Sequence, residues 1–128
     1  MRIQVDPNTE SSGFGYTEAG QYRLRVVSVN VAQGPKAPYL HWEFEYADPN
    51  VQTTDGKGRP GHIFENTTLK QGENAQFRLR QLIDALGLEW KDFDTEETIG
   101  MEFDAQVGIE EYQGVMRNVI AKFIPVKK

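Results

Sequence analysis

Hydrophobic and polar residues alternate along five stretches of the chain, and a period of two predicts β-strands. The stretches are residues 21–34, 38–49, 62–69, 101–112 and 115–125. The second is the most regular, with an expected core face opposite a polar face: Leu40, Trp42, Phe44 and Tyr46 against Tyr39, His41, Glu43 and Glu45. In the first, the same alternation separates a face with Tyr22, Leu24 and Val26 from a face with Arg23, Arg25, Val27 and Val29.

The hydrophobic period changes from two to 3.6 after Gly72, which predicts one helix over about residues 73–87. Phe77 lies off the apolar stripe of this helix, and we expect it to cap one end of the fold rather than to be exposed. Arg78 and Arg80 are expected on the solvated face of the helix. The stripe and the residue predicted as its C-cap are Ala75, Leu79, Leu82, Ile83 and Leu86, followed by Gly87.

Five strands with one helix between the third and the fourth give the order β-β-β-α-β-β, which is typical of the OB-fold. We therefore predict a mainly β protein with a closed five-stranded barrel over residues 21–128, preceded by a partly flexible N-terminal arm over residues 1–20. The binding face of such a barrel lies across strands two and three, framed by the loops between strands one and two and between strands four and five. The competing architecture is a small β-sandwich with a decorating helix.

The composition restricts the chemistry. The 128 residues include no cysteine and two histidines, which excludes disulfide scaffolds, thiol nucleophiles and Cys-based zinc sites. The sequence also has no motif that pairs a nucleophile with a base, so we predict a non-catalytic protein without cofactor or metal. The chain starts without the apolar segment of a signal peptide and has no apolar run of membrane-spanning length, so a cytoplasmic location is expected.

Charge is unevenly distributed along the chain. The net charge is -5, but residues 84–111 hold ten acidic residues and one basic residue, whereas residues 112–128 hold four basic residues and no acidic one. An acidic protein can therefore still present a neutral or basic face to an anion, provided that the acidic segment lies on another side.

Two motifs suggest other chemistry. Residues 56–61 (GKGRPG) match the glycine spacing of dinucleotide-binding loops, but a strand is predicted after them where a helix is required. We interpret them as a hairpin connection from which Lys57 and Arg59 can touch phosphates. The residues His41, Glu43 and Glu45 are interpreted as a polar strand face, because three residues of one strand converge poorly on a metal.

Aromatic and basic residues are interleaved on the predicted strands, a pattern that favours binding of single-stranded nucleic acid by base stacking and backbone contacts. Tyr39 and Phe64 are the stacking candidates, since each shares its strand face with polar residues. Arg23 and Arg25 are candidate contacts to the nucleic-acid backbone. Three aromatic residues with apolar neighbours in phase are assigned to the core: Trp42, Phe44 and Phe103.

Residues 37–48 (APYLHWEFEYAD), 61–90 and 99–125 resemble small phage-encoded single-stranded DNA-binding proteins with OB-folds. The resemblance implies binding of single-stranded DNA without sequence preference during phage DNA replication or recombination, in the cytoplasm of the host cell. Candidate protein partners are phage replication and recombination proteins and further copies of the chain. The nucleic-acid-binding residues that the resemblance implies are Tyr39, His41, Trp42, Phe64, Tyr112 and Arg117.

The chain departs from that pattern at its end, since many single-strand binders carry an acidic C-terminal tail and this chain has no acidic residue after Glu111. Two other classes of function stay open. In one, the protein is an interaction module that binds a protein partner through its aromatic face or its acidic segment. In the other, the aromatic residues bind a small ligand or an oligosaccharide.

Overall fold

The computed structural model describes residues 15–56, 58–72, 75–90 and 92–126. Five strands and two short helices follow one another along the chain, which confirms the prediction of a mainly β protein. Their bounds are β1 Gly20–Gln33, β2 Pro38–Tyr46, β3 Ile63–Thr68, α1 Phe77–Ala85, α2 Thr95–Thr98, β4 Glu102–Tyr112 and β5 Val115–Ile124.

The strands form one antiparallel sheet in the order β3-β2-β1-β4-β5. Within the described residues no ladder joins the edge strands β3 and β5, so the sheet is not closed into the predicted barrel. A side chain bridges the two edges instead, because Arg78 of α1 donates both to Glu65 on β3 and to the main-chain oxygen of Ile120 on β5. The edges are therefore close together but are not paired through their backbones.

The sheet is strongly curved, as its central aromatic cluster shows. Phe44 on β2 lies 4.9 Å from Phe103 on β4 and 6.5 Å from Phe123 on β5, measured between ring centroids. Since β2 and β5 are not neighbours in the sheet, these rings can meet only if the sheet bends around them. The core assignments of Phe44, Phe103 and Trp42 are confirmed, because all three side chains are buried.

Helix α1 lies against the curved sheet with Leu79, Leu82 and Ile83 buried. It starts at Phe77, later than the predicted residue 73, and Phe77 is 58% exposed. The prediction that Phe77 caps the fold is therefore wrong; two positions before Leu79 on a helix, it points away from the buried stripe. The predicted end is confirmed, since Gly87 has a φ of 76° and the amide of Leu88 donates to the Ile83 carbonyl, as in a Schellman motif.

A β-bulge in β1 changes the predicted phase of that strand. The register with β2 shifts between Val26 and Ser28, so one extra residue, Val27, is inserted. After the bulge, Val29 packs against the core although simple alternation placed it on the face of Arg25. The prediction that the side chains of β1 alternate strictly between two faces is therefore wrong beyond Val26.

The acidic stretch between α1 and β4 contains α2, which the hydrophobic pattern did not predict. Asp94 caps this helix by accepting a hydrogen bond from the Glu96 amide at 3.0 Å. Neither helix of the described residues is long and apolar enough to cross a membrane.

Part of the predicted N-terminal arm is attached to the sheet. Thr17 is buried, and its amide donates to Asn118 Oδ1 on β5 at 2.8 Å. The Thr54 amide donates to the carbonyl of Tyr16 at 2.9 Å. The remainder of the arm, residues 1–14, lies outside the described residues.

Candidate nucleic-acid interface

An open groove of about 880 Å³ lies between the solvent-facing side of β2 and β3 and the first half of β5. The connection that leads into β3 also contributes to it, through Arg59, Pro60 and Gly61. The groove thus includes the predicted binding face across strands two and three. The turn between β1 and β2 does not line it.

Strand alternation and register bring four of the groove residues together, three polar and one aromatic. In β2, even-numbered side chains from Leu40 to Tyr46 are buried, which leaves His41 and Glu43 on the opposite face. In the pairing of β2 with β3, His41 lies opposite Asn66 and Glu43 lies opposite Phe64. Opposite residues of an antiparallel pair share one face, so all four side chains line the groove.

Phe64, which is exposed, and His41, which is half-buried, form an aromatic platform. Their rings are nearly parallel, with an interplanar angle of 13° and a centroid separation of 5.5 Å. His41 is further positioned by a hydrogen bond between its Nδ1 and Asn66 Oδ1 at 2.6 Å. Because Phe64 is 54% exposed, a flat ligand can stack on it without any change of the core.

Glu43 and His62 form a hydrogen-bonded pair beside this platform. The second carboxylate oxygen of Glu43 accepts from the Ser28 hydroxyl at 3.4 Å. The Glu43 side chain is 28% exposed and lines the groove. Among the described residues, no three His, Asp or Glu side chains are grouped so that they could hold a metal ion.

The opposite wall belongs to a hairpin that extends beyond the rest of the sheet. The pairing of β1 with β4 ends at Val107, so the hairpin beyond that point is a two-stranded ribbon. Its turn consists of Gln113 and Gly114, both with positive φ, at 52° and 81°. Positive φ at both turn positions is typical of type I′ hairpins, whose twist matches that of the strands.

Arg117 and Tyr112 lie on this ribbon. The Arg117 guanidinium is 4.9 Å from the centroid of the Tyr112 ring and donates to Glu110 at 2.9 Å. Tyr112 is 54% exposed, and Val115 and Met116 next to it are exposed as well. Arg117 lines the groove, so one cation of the predicted set lies opposite the platform of Phe64 and His41.

A largely buried polar network includes Asn118, one of the residues that line the groove. The Tyr46 and Thr17 hydroxyls are hydrogen-bonded at 3.0 Å, and Asn118 Nδ2 donates to the carbonyls of Thr17 and Gly108, each at 3.1 Å. Burial raises the pKa of Tyr46 to about 12. Sequence reasoning missed Asn118, since a lone Asn in a strand gives no sign of a partner 101 residues away.

Two predicted aromatic contacts on β2 have different surroundings. Tyr39 is half-buried on the same face as His41, beside Gly34 of the β1–β2 turn, and lies outside the groove lining. Trp42 is fully buried, and its Nε1 donates to Thr67 Oγ1 at 2.9 Å. Trp42 therefore cannot contact a ligand, because its ring points into the core and its one polar atom is already bonded; we remove it from the candidate site.

The predicted cations on β1 are ion-paired outside the groove. Arg23 pairs with Asp104 at 3.0 Å, and Arg25 lies between Glu102 and Glu45. The hydrogen bond with Glu102 is the main reason that the pKa of Arg25 is raised. Neither side chain lines the groove, because cross-strand carboxylates hold both over β1 and its neighbouring strands.

Arg59 lines the groove, but it also holds the connection between β2 and β3. Its guanidinium donates to the main-chain oxygens of Asp48 at 2.8 Å and Tyr46 at 3.0 Å. Lys57, predicted as a phosphate contact, lies outside the described residues.

The acidic segment does not lie entirely on another side of the molecule. Three of its carboxylates, on Glu102, Asp104 and Glu110, pair with Arg25, Arg23 and Arg117. Part of the negative charge of the acidic segment is therefore neutralised by arginines from other parts of the chain.

A scan of family models finds no match to the chain, and a search of curated proteins finds none either. Inferences about function therefore depend on the groove and on the sequence resemblance described above.

Proposed function

We propose that this protein binds single-stranded DNA without catalysis, through the groove between β2–β3 and β5. The observation that carries the proposal is the exposed Phe64 ring, stacked on His41 in an open groove. Stacking of a base on such a ring contributes about 1–3 kcal/mol and is available to every base. A duplex keeps its bases stacked on one another, so the platform favours single strands.

The charges of the groove support binding in which stacking contributes more than electrostatics. Arg59 and Arg117 are its described arginines, and both already have partners in the protein. Glu43 and Glu65 also line it. We therefore expect affinity to fall with salt, but with the shallow slope of a few phosphate contacts, since each contact on single strands contributes about -0.7 to the log-log slope.

The sheet topology supports an OB-fold of the open type. Pairing of β3 with β5 would close the order β3-β2-β1-β4-β5 into a five-stranded barrel, and OB-folds are partly open barrels. In that family the ligand lies across strands two and three beside the loop between strands four and five, which is where the groove and the ribbon lie here.

The biological setting that we propose comes from the resemblance to phage single-stranded DNA-binding proteins. It is protection of exposed strands during phage replication or recombination, in the host cytoplasm. Phage replication proteins and further copies of the chain are the protein partners to test.

The test is fluorescence anisotropy with a labelled oligo-dT of about 30 nucleotides and a matched duplex, at low salt and near physiological salt. We expect salt-sensitive binding to the single strand and little to the duplex. Phe64→Ala should weaken binding at least about fivefold, a loss at the low end for one stacked base. Phe77→Ala is the matched control, because Phe77 is equally exposed but lies on α1 outside the groove lining.

Absence of binding to either DNA at low salt would refute the proposal. An equal loss of affinity in both Phe variants would refute the assignment of the platform. If no DNA binds, the alternative to test is a protein partner that contacts the carboxylates around α2.

A further inference from the structure

We infer that the groove contains a guanine-preferring base subsite, formed by the ring of Phe64 and the carboxylate of Glu43. This inference depends on the proposed function and deepens it, because it replaces indifference to base identity with a preference at one position.

The first step is the register of β2 and β3. Glu43 and Phe64 are direct cross-strand partners, and such partners have Cβ atoms about 4.5–5.5 Å apart on one face of the sheet. A base stacked on Phe64 therefore has a carboxylate within reach of its edge. Both side chains line the groove, so a ligand meets them together.

The second step is the capacity of the carboxylate. An ionised carboxylate has about four lone-pair sites and no donor. Glu43 uses one site on Oε2 for His62 and one on Oε1 for Ser28. Each oxygen retains a free site, and the hydrogen bond with His62 restricts the orientation of the group. Glu43 is therefore a preorganised double acceptor beside a stacking surface.

The third step is the chemistry of the bases. Unpaired bases are recognised by stacking together with hydrogen bonds to their Watson–Crick edges. On guanine that edge carries two adjacent donors, N1–H and the N2 amino group, which match the two oxygens of one carboxylate. Adenine and cytosine each place a ring-nitrogen acceptor beside one amino donor, and thymine has one donor between two carbonyls. A carboxylate therefore attracts guanine and repels part of each other edge.

The charges of the groove favour a DNA strand that turns its bases, rather than its phosphates, toward Glu43. Phosphates avoid Glu43 and are attracted to Arg117 on the opposite wall, whereas Arg59, the other described arginine of the lining, is already bonded to main-chain oxygens. A strand in the groove would thus turn its backbone toward β5 and its bases toward β2 and β3.

The experiment compares oligo-dT of about nine nucleotides with the same oligomer carrying one central guanine, adenine, cytosine or hypoxanthine. One guanine per strand avoids association of the probe with itself. We expect central guanine to bind roughly five- to tenfold more tightly than thymine or adenine, as for hydrogen bonds to a charged acceptor. Hypoxanthine, which keeps N1–H and lacks the N2 amino group, should lie between guanine and adenine.

Glu43→Gln should abolish the preference for guanine over adenine, because the amide replaces one acceptor by a donor. Glu45→Gln is the matched control: Glu45 lies on the same face of β2, but it pairs with Arg25 and does not line the groove. Circular dichroism and thermal melting of both variants establish that they are folded.

The outcomes separate the two proposals. If no oligomer binds, the proposed function and the subsite both fail. If oligo-dT binds and guanine gives no gain over adenine, the subsite alone is overturned. A guanine preference that survives in Glu43→Gln also overturns it, because the selectivity then comes from another group.

Discussion

Arg78 on α1 donates to the carboxylate of Glu65 on β3 at 2.7 Å, and this ion pair links the helix to one edge of the sheet. The same guanidinium reaches the Ile120 carbonyl on the other edge at 3.1 Å and lies 4.7 Å from the centroid of the Phe123 ring. The solvated position predicted for Arg78 is therefore only partly right, since the side chain is 37% exposed but its guanidinium contacts both edge strands. One side chain thus contacts both β3 and β5, the strands that form two walls of the groove.

We expect Arg78→Ala to destabilise the protein by about 2–3 kcal/mol, because it leaves the Glu65 carboxylate largely buried without its partner. Urea unfolding measures the change. Arg78→Lys should recover only part of the loss, since an ammonium lacks the planar fork that reaches both strands. Arg80→Ala is the control on the same helix, where we expect a change within about 0.5 kcal/mol; an equal loss in both variants would contradict the special role of Arg78.

The buried Tyr46 hydroxyl makes stability depend on alkaline pH. Its pKa is raised to about 12 in the folded protein, from an ordinary value of 10.0. The neutral hydroxyl therefore contributes stability that is fully present below pH 10 and is lost as the pH rises through 12, by up to about 3 kcal/mol. Urea unfolding across this range should show a steeper loss for the native chain than for Tyr46→Phe, and parallel curves would exclude Tyr46 as the cause.

Removing the hydrogen bond between Trp42 and Thr67 should lower the stability of the protein without changing its affinity for DNA. We expect Thr67→Val to cost about 1–2 kcal/mol in the free energy of unfolding, since it leaves the buried indole N–H without an acceptor. Under conditions where the variant is fully folded, its affinity for oligo-dT should equal that of the native chain. A clear loss of affinity without a loss of stability would return Trp42 to the binding site.

The arginines of the ribbon and of β1 should differ in their effect on DNA binding. Arg117→Ala should weaken binding to oligo-dT and reduce the magnitude of the log-log salt slope by about 0.7, because one phosphate contact is lost. Arg23→Ala should leave both quantities unchanged, since Arg23 pairs with Asp104 outside the groove. Anisotropy titrations at several salt concentrations measure both, and equal effects of the two variants would point to a diffuse electrostatic surface.

Several features of the fold follow from local patterns alone. Alternation along β2 determined that Trp42 and Phe44 are buried while His41 and Glu43 are not, because successive side chains of a strand point to opposite faces whatever the strand pairs with. Gly87 marked the end of α1 for an equally local reason, since the left-handed conformation there favours glycine. Phe64 was identified as a stacking candidate because its neighbours on the strand face are polar.

Tertiary structure alone decided which groups meet. Two ion pairs, Arg78 with Glu65 and Arg23 with Asp104, join residues whose neighbours in the sequence give no sign of the partner. The bulge at Val27 likewise has no signal in the sequence of β1. The sequence also gave no sign that β3 and β5 are not paired with each other. Alternation identifies each strand, but it does not show whether two edge strands form a hydrogen-bonded ladder. Local periodicity thus determined the face on which the residues of β2 lie and those of β1 up to its bulge, whereas long-range packing determined whether each face meets solvent, a carboxylate or a groove.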